Sequence, residues 1–395
     1  MQNIGIDVGF GFTKAYNGKK SVIFNSIIGD VTDIQFKSPL SSKLLNNNLH
    51  VTINGKSYFL GQYAEFQSTI LDYTLEQKKL IDDFVKILAI AAAGICFEDN
   101  CGPINVVSGL PIIYLKRDQN KFKKTIEGDH EIIFHSDGNK DITKKIQING
   151  IHIIPQPIGS IFNLIFDENG KISNEKLAMQ KLGVVDIGFR TTDLSIFDHL
   201  QYIERGSSTM DTGIAKCFSV IANKLRQESS INVELYKMFK FVEAGIIKMK
   251  GKEYNISNLC KKVYSHASSA IASDLNRLWE KDWDIDSIIL SGGGSTGLSE
   301  YLCKDIDGNV VPIRKDIDAR LNNVLGYYKF AEYKWGSTKP AQKTKTSTTK
   351  NNNDKTNVPA NDDKKETQNK ENTSKTDNDE TKDKKRLKKI SWLLK

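Results

Sequence analysis

Two short stretches carry residue types and spacings that suit phosphate chemistry. They are Ile6-Asp7-Val8-Gly9-Phe10-Gly11-Phe12-Thr13-Lys14 and Val185-Asp186-Ile187-Gly188-Phe189-Arg190-Thr191-Thr192-Asp193. Each is an apolar run ending in an aspartate, then a glycine-bearing turn, then a second strand-like run. Glycines let backbone N–H groups converge on an anion and let a phosphate approach closely. A carboxylate at the strand end can hold Mg²⁺ through waters beside those phosphates. One such turn alone reads as an ordinary glycine turn. A matched pair, one in each half of the chain, suggests two hairpins gripping a triphosphate from both sides. A third glycine-rich turn, Ser291-Gly292-Gly293-Gly294-Ser295-Thr296-Gly297, follows the strand-like Ile285–Leu290 and is open enough to admit a ligand.

The elements that must position these turns are legible in outline. Asn17-Gly18 before Ser21-Val-Ile-Phe24 is a hairpin signal, and Leu194–Phe197 and Leu200–Ile203 give the second motif the same form. Asn54-Gly55 marks a further hairpin in an apparent insertion. Leu75–Cys96 has helical periodicity through Leu80, Phe84, Leu88, Ala91 and Ile95. Ile104–Pro111 reads as a buried strand ending at Gly-Leu-Pro, followed by a basic helix from near Leu115. Strands are expected at Glu131–Phe134 and Lys145–Ile154, and Pro155-Gln156-Pro157 leads into an apolar helix to about Phe166. Further helices are expected at Thr212–Gln227, Glu234–Ile247, Leu259–Trp279 and Ala319–Tyr333.

Composition narrows the class. The 395 residues allow two or three domains, and five scattered cysteines with no C-x-x-C pair argue against a disulfide framework or zinc site and for a reducing cytoplasm. No secretory signal pattern opens the sequence, and the apolar run Phe84–Phe97 is too short to span a bilayer. The six histidines show no ligand spacing. The net charge of +8 is concentrated at one end: from Ser337 on there are 16 Lys and Arg against 9 Asp and Glu, which leaves 40 against 39 before it. Residues 337–383 are polar with hardly any apolar residues to bury, so disorder is expected there. Residues 384–395 carry six basic and no acidic residues, with Leu387, Ile390, Leu393 and Leu394 at near-helical spacing. That segment fits either a membrane or partner contact or a solvated basic tail.

Taken in order, these motifs resemble the actin, Hsp70 and sugar-kinase superfamily, and more narrowly the ParM/StbA plasmid-segregation group of bacterial and archaeal actin-like proteins. The resemblance rests on Asp7–Lys14, Tyr58–Ala64, Ser108–Pro111, Pro155–Pro157, Asp186–Asp193, Ser291–Gly294 and Asn323–Tyr328. It implies an α/β, two-lobed actin-like (ribonuclease H-like) fold with a nucleotide cleft between the lobes. Domain I would cover 1–167 with a small subdomain inserted at about 33–70, and domain II 168–336 with its own at about 211–268.

By the same resemblance, Asp7 and Asp186 flank a hydrated Mg²⁺ and Lys14 reaches the phosphates. Gly9, Phe10, Gly11, Phe12 and Thr13 form the first phosphate turn, and Gly188, Phe189, Arg190, Thr191 and Thr192 the second. Gln156 orients the attacking water; the bland alternative is a helix cap. Gly292, Gly293 and Gly294 wall the nucleoside, with Gly213 opposite. The bulky Phe10 and Phe12 depart from the pattern, one expected toward the core and one toward the cleft rim. Phe189 and Arg190 depart too, Arg190 being either a phosphate contact or a surface residue.

The implied activity is slow, Mg²⁺-dependent hydrolysis of ATP, with GTP as the alternative, coupled to homopolymer formation. Plasmid DNA would be moved through a DNA-binding adaptor, since no helix-turn-helix or finger pattern points to direct sequence-specific DNA reading. The expected location is cytoplasmic, with the tail as an attachment point to membrane or partner. A non-polymerising, membrane-tethered ATP-binding scaffold is the competing expectation. A small-molecule kinase lacks a candidate base loop, and an Hsp70-like chaperone lacks a peptide-binding domain after Lys334.

Overall fold

The computed structural model describes residues 1–31, 49–76, 83–136, 140–311, 313 and 316–336. The tail from Ser337, residues 32–48 of the expected insertion and residues 77–82 of the expected Leu75–Cys96 helix lie outside the described residues.

The chain opens with an antiparallel meander, β1 (Gln2–Val8), β2 (Phe12–Tyr16) and β3 (Ser21–Asn25). Next come β4 (Ile28–Gly29), β5 (Leu49–Ile53), β6 (Lys56–Leu60), β7 (Leu71–Asp72), β8 (Cys101–Leu110), β9 (Gly128–Phe134) and β10 (Ile142–Pro155). Together they make a ten-stranded sheet in the order β3-β2-β1-β8-β10-β9-β5-β6-β4-β7. The second half repeats the meander as β11 (Lys181–Ile187), β12 (Thr192–Asp198) and β13 (Gln201–Met210). A two-stranded hairpin, β14 (Ile246–Met249) and β15 (Lys252–Asn255), stands apart. With β16 (Ser287–Ser291) and β17 (Val310–Val311) the meander forms a second sheet, ordered β13-β12-β11-β16-β17.

One plan therefore occurs twice, a three-stranded meander continued by two parallel strands, as β1·β8·β10 and as β11·β16·β17. The central strands carry apolar residues on both faces because helices cover both sides. Ile4, Ile6, Ile104 and Val106 are fully or almost fully buried in the first sheet, and Val184, Val185, Ile288 and Ile289 in the second. Each such side chain contributes about 1.5–3 kcal/mol. The alanine-rich helix Asp83–Cys96 lies on the first meander. In the second half, helices Ile214–Ser229 and Ser257–Leu278 are bracketed by β13 and β16.

The last helix, Asn322–Trp335, follows the second sheet in sequence but packs on the first. Glycines make the approach close enough. A Cβ on Gly326 would fall 1.7 Å from the Gly159 carbonyl, and one on Gly5 would fall 2.4 Å from the Val324 carbonyl. Only backbone fits at these crossings, and the helix N-terminus is thereby delivered to the gap between the sheets.

The expected Glu234–Ile247 helix is shorter. A 3₁₀ turn Leu235–Lys237 leads into helix Met238–Ala244, which stops at Gly245 in the left-handed region (φ +69°). The alternation Ile-Ile-Lys-Met then runs as β14 with a period of two. Among the described residues no helix is long and apolar enough to cross a membrane.

Candidate functional site

The first turn is set by strand register. Asp7 ends the β1 core and faces Lys14 across the ladder, whose ammonium lies 2.7 Å from Asp7 Oδ2. Gly9 N–H closes the turn on the Phe12 carbonyl at 3.0 Å. The amides of Phe10 and Gly11 donate to no backbone carbonyl among the described residues. Alternation along β2 sends Phe12 and Lys14 to the cleft and Thr13 away from it. Thr13 is instead buried against Ser26, with 2.9 Å between the hydroxyl oxygens.

The second turn follows the same offsets with different chemistry. Gly188 N–H closes on the Thr191 carbonyl at 2.8 Å, three residues on as before. The residue facing Asp186 across the ladder is Asp193, not a lysine. Asp186 Oδ2 accepts from Asn323 Nδ2 at 2.7 Å, and Asp193 accepts from the Thr209 hydroxyl. Both acids are buried. Burial, opposed by the Asn323 hydrogen bond and reinforced by the nearby Asp7 charge, pushes Asp186 up to about 6. Burial, with the Asp186 charge adding to it, pushes Asp193 up to about 7.

Helix Ile214–Ser229 starts on this turn. Ile214 N–H bonds the Gly188 carbonyl at 3.1 Å and Ala215 N–H the Phe189 carbonyl at 2.8 Å. Gly213 sits beneath, where a Cβ would lie 2.4 Å from the Phe189 oxygen. It braces the turn without lining the cleft. Thr192 likewise turns inward and bonds the Thr212 carbonyl at 2.8 Å.

The two turns face each other across one cleft, which also takes in Leu110, Gln156, Gly292, Gly293 and Gly294. Gly292 has φ +82°, and a Cβ there would fall 2.4 Å from Asp186 Oδ1, so the third turn can reach the carboxylate only as glycine. The Gln156 backbone is fixed by N–H donation to the Leu110 carbonyl at 2.9 Å and by the Tyr327 hydroxyl on its own carbonyl at 3.1 Å. Gln156 borders the cleft.

The aromatic departures have distinct places. Phe10 packs against the first core. Phe12 meets Phe239 of the second lobe edge-on, with centroids 4.7 Å apart, and Phe189 joins the same group. Arg190 lines the cleft, its guanidinium 5.4 Å from the Phe10 ring centroid and held by Asp211 and the Leu75 carbonyl.

Arg320 and Phe239 had no role in the sequence reading, and Asn323 and Tyr327 entered it only within the Asn323–Tyr328 stretch, with no site role assigned. None sits in a phosphate-like motif, and each arrives from a distant element. Asp193 was in plain view inside the second motif; its seven-residue offset from Asp186, matching Lys14 from Asp7, was the available signal.

Residues 5–159 match the N-terminal domain family of actin-like proteins, and residues 184–304 match the C-terminal domain family of archaeal MreB-like actin homologues. The chain is an actin-like protein. Among solved structures it resembles the pCBH ParM non-polymerisable quadruple mutant, with 25% identity and a TM-score of 0.69 over 84% of this chain and 99% of that one. It also resembles ParM in a 15-stranded filament from Clostridium botulinum, at 24% identity and a TM-score of 0.70 over the same shares. A third is the archaeal actin homologue Ta0583 in complex with ADP, at 19% identity and a TM-score of 0.68, again over 84% and 99%. No curated protein matches in sequence. In this actin-like protein the paired turns thus occupy the facing edges of the two halves that the family descriptions cover.

Proposed function

We propose that this actin-like protein is a slow, Mg²⁺-dependent ATPase whose nucleotide state governs assembly into filaments. The observation that carries the reading is the facing pair of turns, each with an aspartate, a glycine closure three residues long and uncommitted amides. ParM has been solved as a filament from Clostridium botulinum and with AMPPNP from Bacillus thuringiensis, and the archaeal homologue with ADP, which supports nucleotide use and self-association here.

The residues suit the group. Burial and the nearby Asp7 charge raise the cost of ionising Asp186, and a divalent cation between the two carboxylates would relieve it. The amides of Phe10, Gly11, Phe189 and Arg190, which donate to no backbone carbonyl among the described residues, offer an anion cradle. Mg-nucleotide, when bound, supplies the phosphoanhydride to be cleaved. Lys14 would neutralise phosphate charge, and Gln156, which has no useful basicity, would orient water without deprotonating it. That division suits a slow timer. The further reading, segregation of plasmid DNA through an adaptor, rests on the ParM likeness, and the tail as attachment point rests on the basic, amphipathic composition of residues 384–395.

The test is right-angle light scattering and pelleting with Mg-ATP, Mg-GTP, ADP or no nucleotide, beside Gln156→Ala. We expect scattering that rises with Mg-ATP and decays as phosphate appears. In Gln156→Ala assembly persists while phosphate release slows about 10²-fold. No assembly under any nucleotide sinks the filament reading.

A further inference from the structure

The 22-residue helix Ser257–Leu278 joins two surfaces of different character. At 1.5 Å per residue it spans about 33 Å. The β14–β15 hairpin immediately precedes it, and a tight turn carrying Trp283 immediately follows. Asp186 and Ser291 mark the cleft ends of β11 and β16, so the turn before Ser287 lies at the far end of that sheet.

Trp283 is 88% exposed, the most exposed large apolar side chain among the described residues. Looseness does not account for it. Ile285 N–H bonds the Asp282 carbonyl at 3.1 Å, and Asp282 N–H bonds the Trp279 carbonyl at 2.7 Å. The buried Asp282 carboxylate takes both Arg205 terminal nitrogens, at 2.7 and 2.6 Å, and Lys181 at 2.9 Å. Asp286 accepts from Lys181 N–H at 2.8 Å. The indole is held out in water by a rigid frame, as a binding anchor is. Beside it Glu280, Asp284 and Asp286 are exposed, Asp284 paired to Lys181, with Lys281 and Arg205 as the cations.

The hairpin at the other end exposes Ile246, Lys248, Lys250 and Lys252 with one acid, Glu253. Its turn is fixed by positive φ at Lys250 and Gly251 (48° and 80°). An indole face suits lysine ammonium groups and stems, and the acids around it suit the same lysines.

We propose that Trp283 of one copy docks on the β14–β15 hairpin of the next. The two patches are different surfaces at opposite ends of one lobe. Their contact is heterologous, leaves one free end on each copy and extends into an open polymer. This rests on the filament reading above and names its contact.

Three full-length proteins test it by light scattering and sedimentation velocity in Mg-ATP: wild type, Trp283→Ala, and the triple variant Lys248→Glu, Lys250→Glu, Lys252→Glu. Binding of a fluorescent ATP analogue reports folding and should be unchanged in all three. Each variant should raise the critical concentration at least about tenfold. An equimolar mixture, in which each variant keeps one intact end, should give dimers and nothing longer. Wild type and Trp283→Ala assembling alike, or a mixture that elongates, overturns the docking and leaves the filament reading standing. A wild type that never assembles removes both.

Discussion

The two phosphate turns share a backbone plan and differ at one cross-strand position. Seven residues after Asp7 the ladder supplies Lys14; seven after Asp186 it supplies Asp193. The first carboxylate has a cation at 2.7 Å, whereas the second has a like charge beside it and relies on Asn323, which comes from the final helix. The first turn is therefore complete within its own hairpin. The second is finished by an element that crosses from the other lobe, so its electrostatics depend on how the lobes are held together. Repeating a fold preserves geometry more readily than it preserves charge.

The largest effect should come from erasing the one cation that separates the turns. Lys14→Met leaves Asp7 buried without its partner and in the company of Asp186. Breaking a buried pair by removing one member costs about 3–5 kcal/mol. We expect that loss in chemical denaturation, together with weaker Mg-ATP binding by calorimetry. A variant as stable as wild type would mean that Asp7 has another route to neutralisation and that the asymmetry is cosmetic.

How much of this was legible beforehand depends on the range of the interaction. Both meanders, the Gly-rich turn and most helices follow from local periodicity and Asn-Gly signals, and the aspartates were found because a strand end fixes their place. Thr13 and Thr192 were assigned to the cleft by their position in a motif, but strand alternation turns Thr13 away and a backbone carbonyl captures Thr192. Gly245 ends an expected helix early by adopting a left-handed cap that a hydrophobic pattern does not display. Asn323 and Arg320 reach the site only because Gly5, Gly159 and Gly326 let a distant helix lie close, and no local pattern carries that.

A second, smaller effect concerns pH. Asp186 and Asp193 have folded-state values of about 6 and about 7, above the ordinary aspartate value of 3.8. A raised acid favours the folded state when protonated. Its contribution is full below the unfolded value and disappears as pH rises through the folded one. Thermal melts of nucleotide-free protein should therefore lose stability from about pH 4 to about pH 7 through these two groups. Asp193→Asn keeps the neutral form at all pH and should flatten the upper part of that curve by more than about 1 kcal/mol. Identical slopes in the two proteins would show that the second turn is no more acid-strained than the first.

The finest test separates burial from hydrogen bonding at Asp193. The Thr209 hydroxyl donates to its carboxylate and lowers its pKa, against the larger upward push of burial and a smaller one from the Asp186 charge. Thr209→Val removes the donor at nearly constant volume. The ionised acid loses more than the protonated one, so the bend in the stability curve should move upward in pH, at a cost of about 1.5–3 kcal/mol near pH 8 and less near pH 5. If instead the loss is the same at both pH values, the hydroxyl serves packing alone. The contrast between the turns would then rest on the lysine-for-aspartate exchange and on burial, without help from the neighbouring strand.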